Sequence, residues 1–275
     1  MSMSITDTKK LTDLIVGIKG AGEMASGIAW RLHQANIRQI FMMEVPRPLA
    51  VRREVSFCKV LTQGEMAVEG IGGIRVGDTD DISFAWANKQ IAVIADPEWT
   101  SIGKLKPDVI IDAIIAKRNL GTNMNEAPLV IALGPGFTAG KDSHIVIETN
   151  RGHNLGKLIF SGTADPDTGV PGDIGGYTNK RVLRAPSEGL FASGLSIGDQ
   201  VRRGDIIGNV DGNEIRAEIN GVLRGLILSG TRVRKNVKLG DIDPRGNATY
   251  CTTISDKARA IAGAVLEAIL NVYNR

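Results

Sequence analysis

The stretch LIVGIKGAGEMASGIAWRL, Leu14 to Leu32, decides the fold. LIVGIK, Leu14 to Lys19, is a short apolar run with the length and composition of a buried strand. It enters a glycine turn, and beyond it Met24, Ile28, Ala29 and Leu32 recur at helical spacing. The order is therefore strand, glycine turn, helix. IFMME, Ile40 to Glu44, follows as a second strand ending in an acid. Glu44 lies about 20 residues past the turn, where a dinucleotide-binding βαβ unit puts its ribose-binding carboxylate.

Each residue of the turn has a physical role in that reading. Gly20 permits the tight turn and Gly22 lets the main chain approach a pyrophosphate. Ala25 takes the small packing position, and Gly27 offers a further close approach. The N–H groups of Gly22, Glu23, Met24 and Ala25 open the helix and face an anion. The same turn can also serve only to pack a helix on a sheet. Arg47, Arg52 and Arg53 follow the acidic strand end, and guanidinium forks suit phosphate, although a solvated basic face reads the same way.

Working outward, DTDDISFAWANK (residues 78–89) reads as a capped helix, and IAVIAD (91–96), VIIDAIIA (109–116) and PLVIALG (128–134) as buried parallel strands. The expected architecture is α/β plus β. An N-terminal Rossmann-like parallel-sheet domain spans residues 12–180, including a Gly/Asp-rich connecting segment.

The second half contains an internal repeat. Residues 185–210 align with 217–242 at a fixed offset of 32, so that Gly189 meets Gly221, Gly198 meets Gly230 and Gly208 meets Gly240. Each copy is too small to bury its own apolar face, so the two copies must cover each other. The spacing resembles the barrel-sandwich hybrid of lipoyl and biotinyl domains and predicts a β domain over 181–248. The joining hairpin, Asn209 to Gly221, has no lysine, which argues against a covalently loaded carrier and for a docking or lid element. Residues 249–275 hold a C-terminal helix, capped by Ser255, that can pack back on the first domain or form a dimer.

The stretch GPGFTAGKDSHIVIETNRGH, Gly134 to His153, collects polar chemistry after the last apolar strand of the first domain. Gly134 and Gly136 follow a strand end, where open α/β sheets bind ligands. If HIVIE is a strand, Asp142, His144 and Glu148 share a face by period two, and His153 can fold back towards them. Two imidazoles and two carboxylates suit acid–base work or a borderline metal, and Arg151 can clamp an anion. The bland alternative is that the histidines satisfy backbone groups and the acids are solvated. Cys58, close behind Arg52 and Arg53, is either an activated thiol or buried packing.

Composition limits the function classes. The 275 residues carry a net charge of +3 with signs interspersed, so no nucleic-acid footprint stands out. No apolar run reaches the ~20 residues of a membrane span. Two distant cysteines, Cys58 and Cys251, fit a reducing compartment, and the polar N-terminus carries no apolar signal segment, so a cytoplasmic location is expected.

GAGEMASGIAWRL, RREVSF, GPGF, IETNRGHNLG, GDIDPRG and the closing CTTISDKARAI and VLEAIL together resemble the YqeB-like family of accessory proteins associated with selenium-dependent molybdenum hydroxylases. The first domain is also similar in kind to the Rossmann domain of XdhC-type maturation factors. The resemblance implies a factor that handles a molybdopterin-type dinucleotide for modification or insertion, with a molybdenum hydroxylase or another maturation protein as partner. An NAD(P)-dependent oxidoreductase with His144 or His153 as acid–base, and a non-catalytic scaffold, are the competing expectations.

Overall fold

The computed structural model describes residues 9–274. The chain divides into two compact units. The first comprises the residues up to Pro48, Phe57–Asp167 and the chain from Ile254 on; the second comprises Leu49–Ser56 and Thr168–Thr253. Residues 168–180, which sequence patterning attaches to the first domain, therefore lie in the second. So does the short excursion 49–56.

The first unit is built on one nine-stranded sheet. Its strands are β1 (Ile15–Lys19), β2 (Gln39–Glu44), β3 (Glu65–Val68), β4 (Ile71–Val76), β5 (Ile91–Ala95), β6 (Val109–Asp112) and β7 (Leu129–Leu133). After the short β8 (Thr138–Ala139) come β9 (Ile145–Ile147) and β10 (Leu158–Ile159); β11 (Gly162–Thr163) pairs with β8 apart from the main sheet. The order across the main sheet is β10-β9-β7-β6-β1-β2-β5-β4-β3, parallel throughout except for the edge strands β10 and β3. The six strands β5-β2-β1-β6-β7-β9 thus follow the doubly wound order, with the reversal of direction between β1 and β6.

The helices α1 (Glu23–Gln34), α2 (Val60–Gln63), α3 (Ile82–Ala87), α4 (Ser101–Leu105) and α5 (Asp256–Tyr273) complete this unit. The β6–β7 and β7–β9 connections contain no α-helix, and α5 packs on α1, β7 and β9 instead. Gly27 makes that helix pair possible: a Cβ there would stand 3.1 Å from the Ala258 Cβ and 3.4 Å from Ile254 Cγ2. The structure thus corrects the expectation for Gly27, whose missing side chain admits α5 and not a pyrophosphate. β6 stops at Asp112, four residues short of its apolar run. Residues 113–118 form a loop in which Ile115 and Lys117 hold φ values of 59° and 62°. A β-branched residue rarely adopts that left-handed conformation, so the loop's path is imposed by what surrounds it.

The second unit holds β12 (Val182–Arg184), β13 (Gly189–Ala192), β14 (Gln200–Val201), β15 (Ile206–Val210), β16 (Asn213–Arg216), β17 (Gly221–Leu226), β18 (Thr231–Val233) and β19 (Lys238–Asp243). They form two four-stranded antiparallel sheets, β12-β19-β17-β14 and β16-β15-β13-β18. At the offset of 32, β13 corresponds to β17, β14 to β18 and β15 to β19. Each sheet therefore takes strands from both copies, and Phe191, Val210, Leu223, Leu239 and Ile242 share one core. The repeat explains why its glycines recur. A Cβ at Gly189 would lie 2.2 Å from Asp211 Oδ2, and one at the equivalent Gly221 would lie 2.3 Å from the Asp243 carbonyl oxygen.

Buried charge in this unit is mutually neutralised. Asp241 binds Arg181 at 2.6 Å and Arg224 at 2.8 Å, while Asp243 binds Arg245 at 2.6 Å. Burial alone would raise the Asp241 pKa, but the Lys238, Arg224 and Arg181 charges outweigh it and hold it at about 2.

Candidate functional site

The carboxyl ends of the parallel strands in the first unit carry an unusual set of charges. Lys19 ends β1, Glu44 ends β2, Asp112 ends β6, and Asp96 and Glu148 directly follow β5 and β9. In open α/β sheets this edge, at the reversal point, is where ligands sit.

The glycine turn lies there. Gly20 has φ 90°, and its N–H donates to the Met43 carbonyl at 2.7 Å. Gly22 is the N-cap of α1, no side chain caps it, and a Cβ added there would meet nothing within 4 Å. The first turn of α1 therefore presents main-chain donors and the positive end of its dipole to open space. Glu44 reaches back from β2: one carboxylate oxygen accepts from the Ala21 N–H at 2.9 Å and the other from the Val45 N–H at 2.8 Å. Burial raises its pKa, and those two hydrogen bonds oppose the rise. Met24 stays half-buried beside the open turn, whereas Ala25 is buried in the core.

Beneath the turn is a buried polar cluster that sequence patterning did not single out. Lys19 Nζ is fully buried, 2.7 Å from Thr122 Oγ1, 2.7 Å from Glu126 Oε2 and 3.6 Å from the centre of the Trp99 ring. The Thr122 hydroxyl donates to Asp112 Oδ2 at 2.7 Å. Desolvation lowers the Lys19 pKa against the pull of Glu126, and desolvation raises that of Asp112. The cluster ties the ends of β1 and β6 together on either side of the reversal point. Its sequence signal was a charged residue closing an otherwise apolar strand, in LIVGIK and in VIID.

Cys58 is buried, 1% exposed, and its N–H donates to the Ala21 carbonyl at 2.9 Å. It braces the turn from inside, so the structure corrects the reading of an accessible nucleophile. Arg52 and Arg53 are corrected as well. Arg52, 5% exposed, donates to the carbonyls of Tyr250 and Thr253, and Arg53 Nε donates to the Leu226 carbonyl. Both guanidiniums fasten the 49–56 segment within the second unit and do not serve a phosphate. Arg47 is exposed.

The polar stretch from Gly134 to His153 does not assemble into one centre. Asp142 accepts from the Thr138 N–H at 2.7 Å and closes a turn. His144 precedes β9, where its Nδ1 accepts from the Val130 N–H at 2.9 Å, and desolvation lowers its pKa. Glu148 follows β9 at the opposite end and is 3% exposed, accepting from the N–H groups of Asn150 at 2.6 Å and Asp165 at 2.7 Å. Four residues of extended chain, about 13 Å, separate the two backbones. His153 is exposed. Among the described residues no three His, Cys, Asp or Glu side chains are grouped as a metal set. Gly134 and Gly136 serve close approach: a Cβ on Gly136, at φ 104°, would lie 2.5 Å from the Arg118 Cα.

Three cations nevertheless gather on the β6–β9 side. Arg151 makes a two-pronged ion pair with Asp256 at the start of α5, and Lys117 Nζ lies 2.6 Å from Asp167. Lys257 sits within electrostatic range of both. Desolvation, and then the Arg151 and Lys117 charges, lower its pKa, opposed by Glu23 and Glu148. A cleft of about 350 Å³ adjoins Glu148, lined by Asn154, Lys157, Phe160, Thr163 and Asp165 among others.

Comparison with known proteins gives one close likeness. The chain is 47% identical over 261 residues, 95% of its length, to the protein named "Uncharacterized protein YqeB" of Escherichia coli K12. It spans about half of that relative, 48%. No protein-family model matches the chain. Among solved structures, E. coli tRNA N6-threonylcarbamoyladenosine dehydratase, TcdA, in complex with AMP is 10% identical with a TM-score of 0.31, covering 96% of this chain and 89% of that one. An aspartoacylase family protein of Mesorhizobium loti is 14% identical with a TM-score of 0.24, covering 77% and 58%. Neither is close enough to assign a fold or a function. No helix among the described residues is long and apolar enough to cross a membrane.

Proposed function

We propose that this chain is a YqeB-like protein whose first unit holds a dinucleotide of the molybdopterin class at the carboxyl edge of its sheet. It acts there as a cytoplasmic accessory factor in the maturation of a selenium-dependent molybdenum hydroxylase. The observation that carries the ligand part is the uncapped N-terminus of α1, opened by Gly20-Ala21-Gly22 at the reversal point of a doubly wound strand order. The pathway part rests on the family resemblance.

In this reading the first unit is Rossmann-like. A pyrophosphate takes the open space at Gly22 and receives the first main-chain N–H groups of α1, while Glu44 keeps lone pairs for a ribose hydroxyl. The Lys19–Asp112–Thr122 cluster positions the turn without touching the ligand. The side chains gathered here are cations and hydrogen-bonded acids, not a metal-ligand set, so a metal arriving with the cargo stays on the cargo's own donors. The second unit, with its strands exchanged between repeat copies, is a barrel-sandwich hybrid. Its joining hairpin at Asp211-Gly212 carries no lysine, so it serves docking of the hydroxylase or another maturation protein.

Glu44 also favours a second reading, an NAD(P)-dependent oxidoreductase, because a carboxylate at the end of β2 is the usual ribose contact. His144 lies beyond the other end of β9 from that edge, which leaves the exposed His153 as the acid–base group for that reading. Native mass spectrometry of gently purified protein separates the two. A bound mass matching a pterin dinucleotide, lost in Gly22→Trp while the variant stays folded, is the expected result. Bound NAD(P) would replace the proposal with the oxidoreductase, and a ligand retained equally by Gly22→Trp would refute the turn as its seat.

A further inference from the structure

Lys257 is a cation in the wrong place for stability. It occupies the second position of α5, an 18-residue helix whose positive end repels it, and Arg151 and Lys117 add like charge. Arg151 and Lys117 each have a carboxylate, Asp256 and Asp167, within ion-pair distance. Lys257 has no hydrogen bond or ion pair among the described residues. Its side chain is half-buried.

Three separate pieces of chain are bent to bring these groups together. Lys117 stands in the loop after β6, held at φ 62°. Arg151 stands in the loop after β9, where a Cβ on Gly156 would lie 3.4 Å from the Ala260 carbonyl oxygen of α5. Lys257 comes from α5, brought in by the Gly27–Ala258 contact. Glu23, the first residue of α1, lies within electrostatic range of the ammonium, so the cluster stands near the start of that helix. The nearby acids do not fill the gap. Glu148 gives both carboxylate oxygens to main-chain N–H groups, and Glu23 leaves the Lys257 pKa still depressed.

We propose that Lys257, flanked by Lys117 and Arg151, is an anion-binding position that takes a phosphate group of the ligand over the β6–β9 half of the sheet. This rests on the reading that the carboxyl edge receives a phosphorylated ligand, and it names which side chains recognise its charge. A phosphate carries more charge than a carboxylate and can meet three cations at once, so it is the preferred class.

The test uses the full chain and inorganic probes. Amine labelling at pH 8, read residue by residue by mass spectrometry, should mark Lys257 ahead of the exposed lysines. Inorganic pyrophosphate or phosphate should protect it, and acetate or sodium chloride at matched ionic strength should not. Calorimetric affinity for pyrophosphate should fall at least about tenfold in Lys257→Met, as expected for loss of a charge-assisted contact, and recover in Lys257→Arg. Lys117→Met should weaken binding while making Lys257 less reactive, because a like charge is removed. Protection by pyrophosphate that survives in Gly22→Trp, when dinucleotide binding does not, would separate this position from the turn. Equal protection by sodium chloride, or unchanged pyrophosphate affinity in Lys257→Met, would overturn the proposal even if a dinucleotide binds.

Discussion

The two units treat charge in opposite ways. In the β unit, Asp241 and Asp243 are almost wholly buried, and each is matched by guanidinium groups at ion-pair distance. At the carboxyl edge of the sheet unit, no side chain caps the first turn of α1, and Lys257 has no hydrogen bond or ion pair among the described residues, although Glu23 and Glu148 lie within electrostatic range. Charges that neutralise one another hold a fold together, whereas a cation left without an ion pair at a strand edge is arranged for something that arrives later. The contrast yields measurable consequences on both sides.

The largest concerns the β unit. Asp241→Asn leaves Arg181 buried without its counter-charge and Arg224 with only Asp243, at 3.4 Å, and should destabilise the protein by roughly 3–5 kcal/mol in chemical denaturation. A loss below about 1 kcal/mol would show that the network is not the structural element described. Next is the seam between α1 and α5. Gly27→Leu forces a side chain into a space where even a Cβ stands 3.1 Å from Ala258, and overpacking of this kind should cost about 1–3 kcal/mol. Unchanged stability would mean that α5 is free to move away.

Acid sharpens the comparison. The folded Asp241 pKa of about 2 lies below its ordinary 3.8, so its stabilising contribution is present above pH 3.8 and is lost as pH falls through about 2. That difference amounts to about 2 kcal/mol, and the Asp241→Asn variant should lack this part of the acid slope.

The smallest effect should have the opposite sign. Because the folded Lys257 pKa lies below 10.5, its protonated form costs stability at neutral pH, and the cost fades as pH rises towards 10.5. Lys257→Met should therefore be at least as stable as the wild type at pH 7, with any advantage shrinking at pH 10. A variant clearly less stable at pH 7 would mean that Lys257 has a structural partner.

The strands and the glycine turn were legible because local chemistry decides them. LIVGIK and IFMME are apolar up to the charge that closes each, as strands buried on both faces must be, and the sheet places them as β1 and β2. Ser255 at the start of α5 was equally readable: its hydroxyl accepts from the Ala258 N–H. The site was less legible because chain proximity is not spatial proximity. Arg52 and Arg53 sit a few residues past β2 yet belong to the other unit, fastened to carbonyls of residues 226, 250 and 253. Period two puts His144 and Glu148 on one face of an extended segment, but it is silent about their standing beyond opposite ends of β9. Lys257 was missed because a lysine opening a helix looks like surface decoration until Lys117 and Arg151 are brought beside it.

The most direct test of the central claim is a backbone amide NMR titration with cytidine diphosphate, a probe that carries a pyrophosphate and a ribose. The account predicts saturable shifts first at Gly20–Ala25 and Val45, with the α5 start following and the Asp241 region unmoved. Shifts that miss residues 20–25, or that appear only around the β unit, would contradict the placement of the ligand at the carboxyl edge of the sheet.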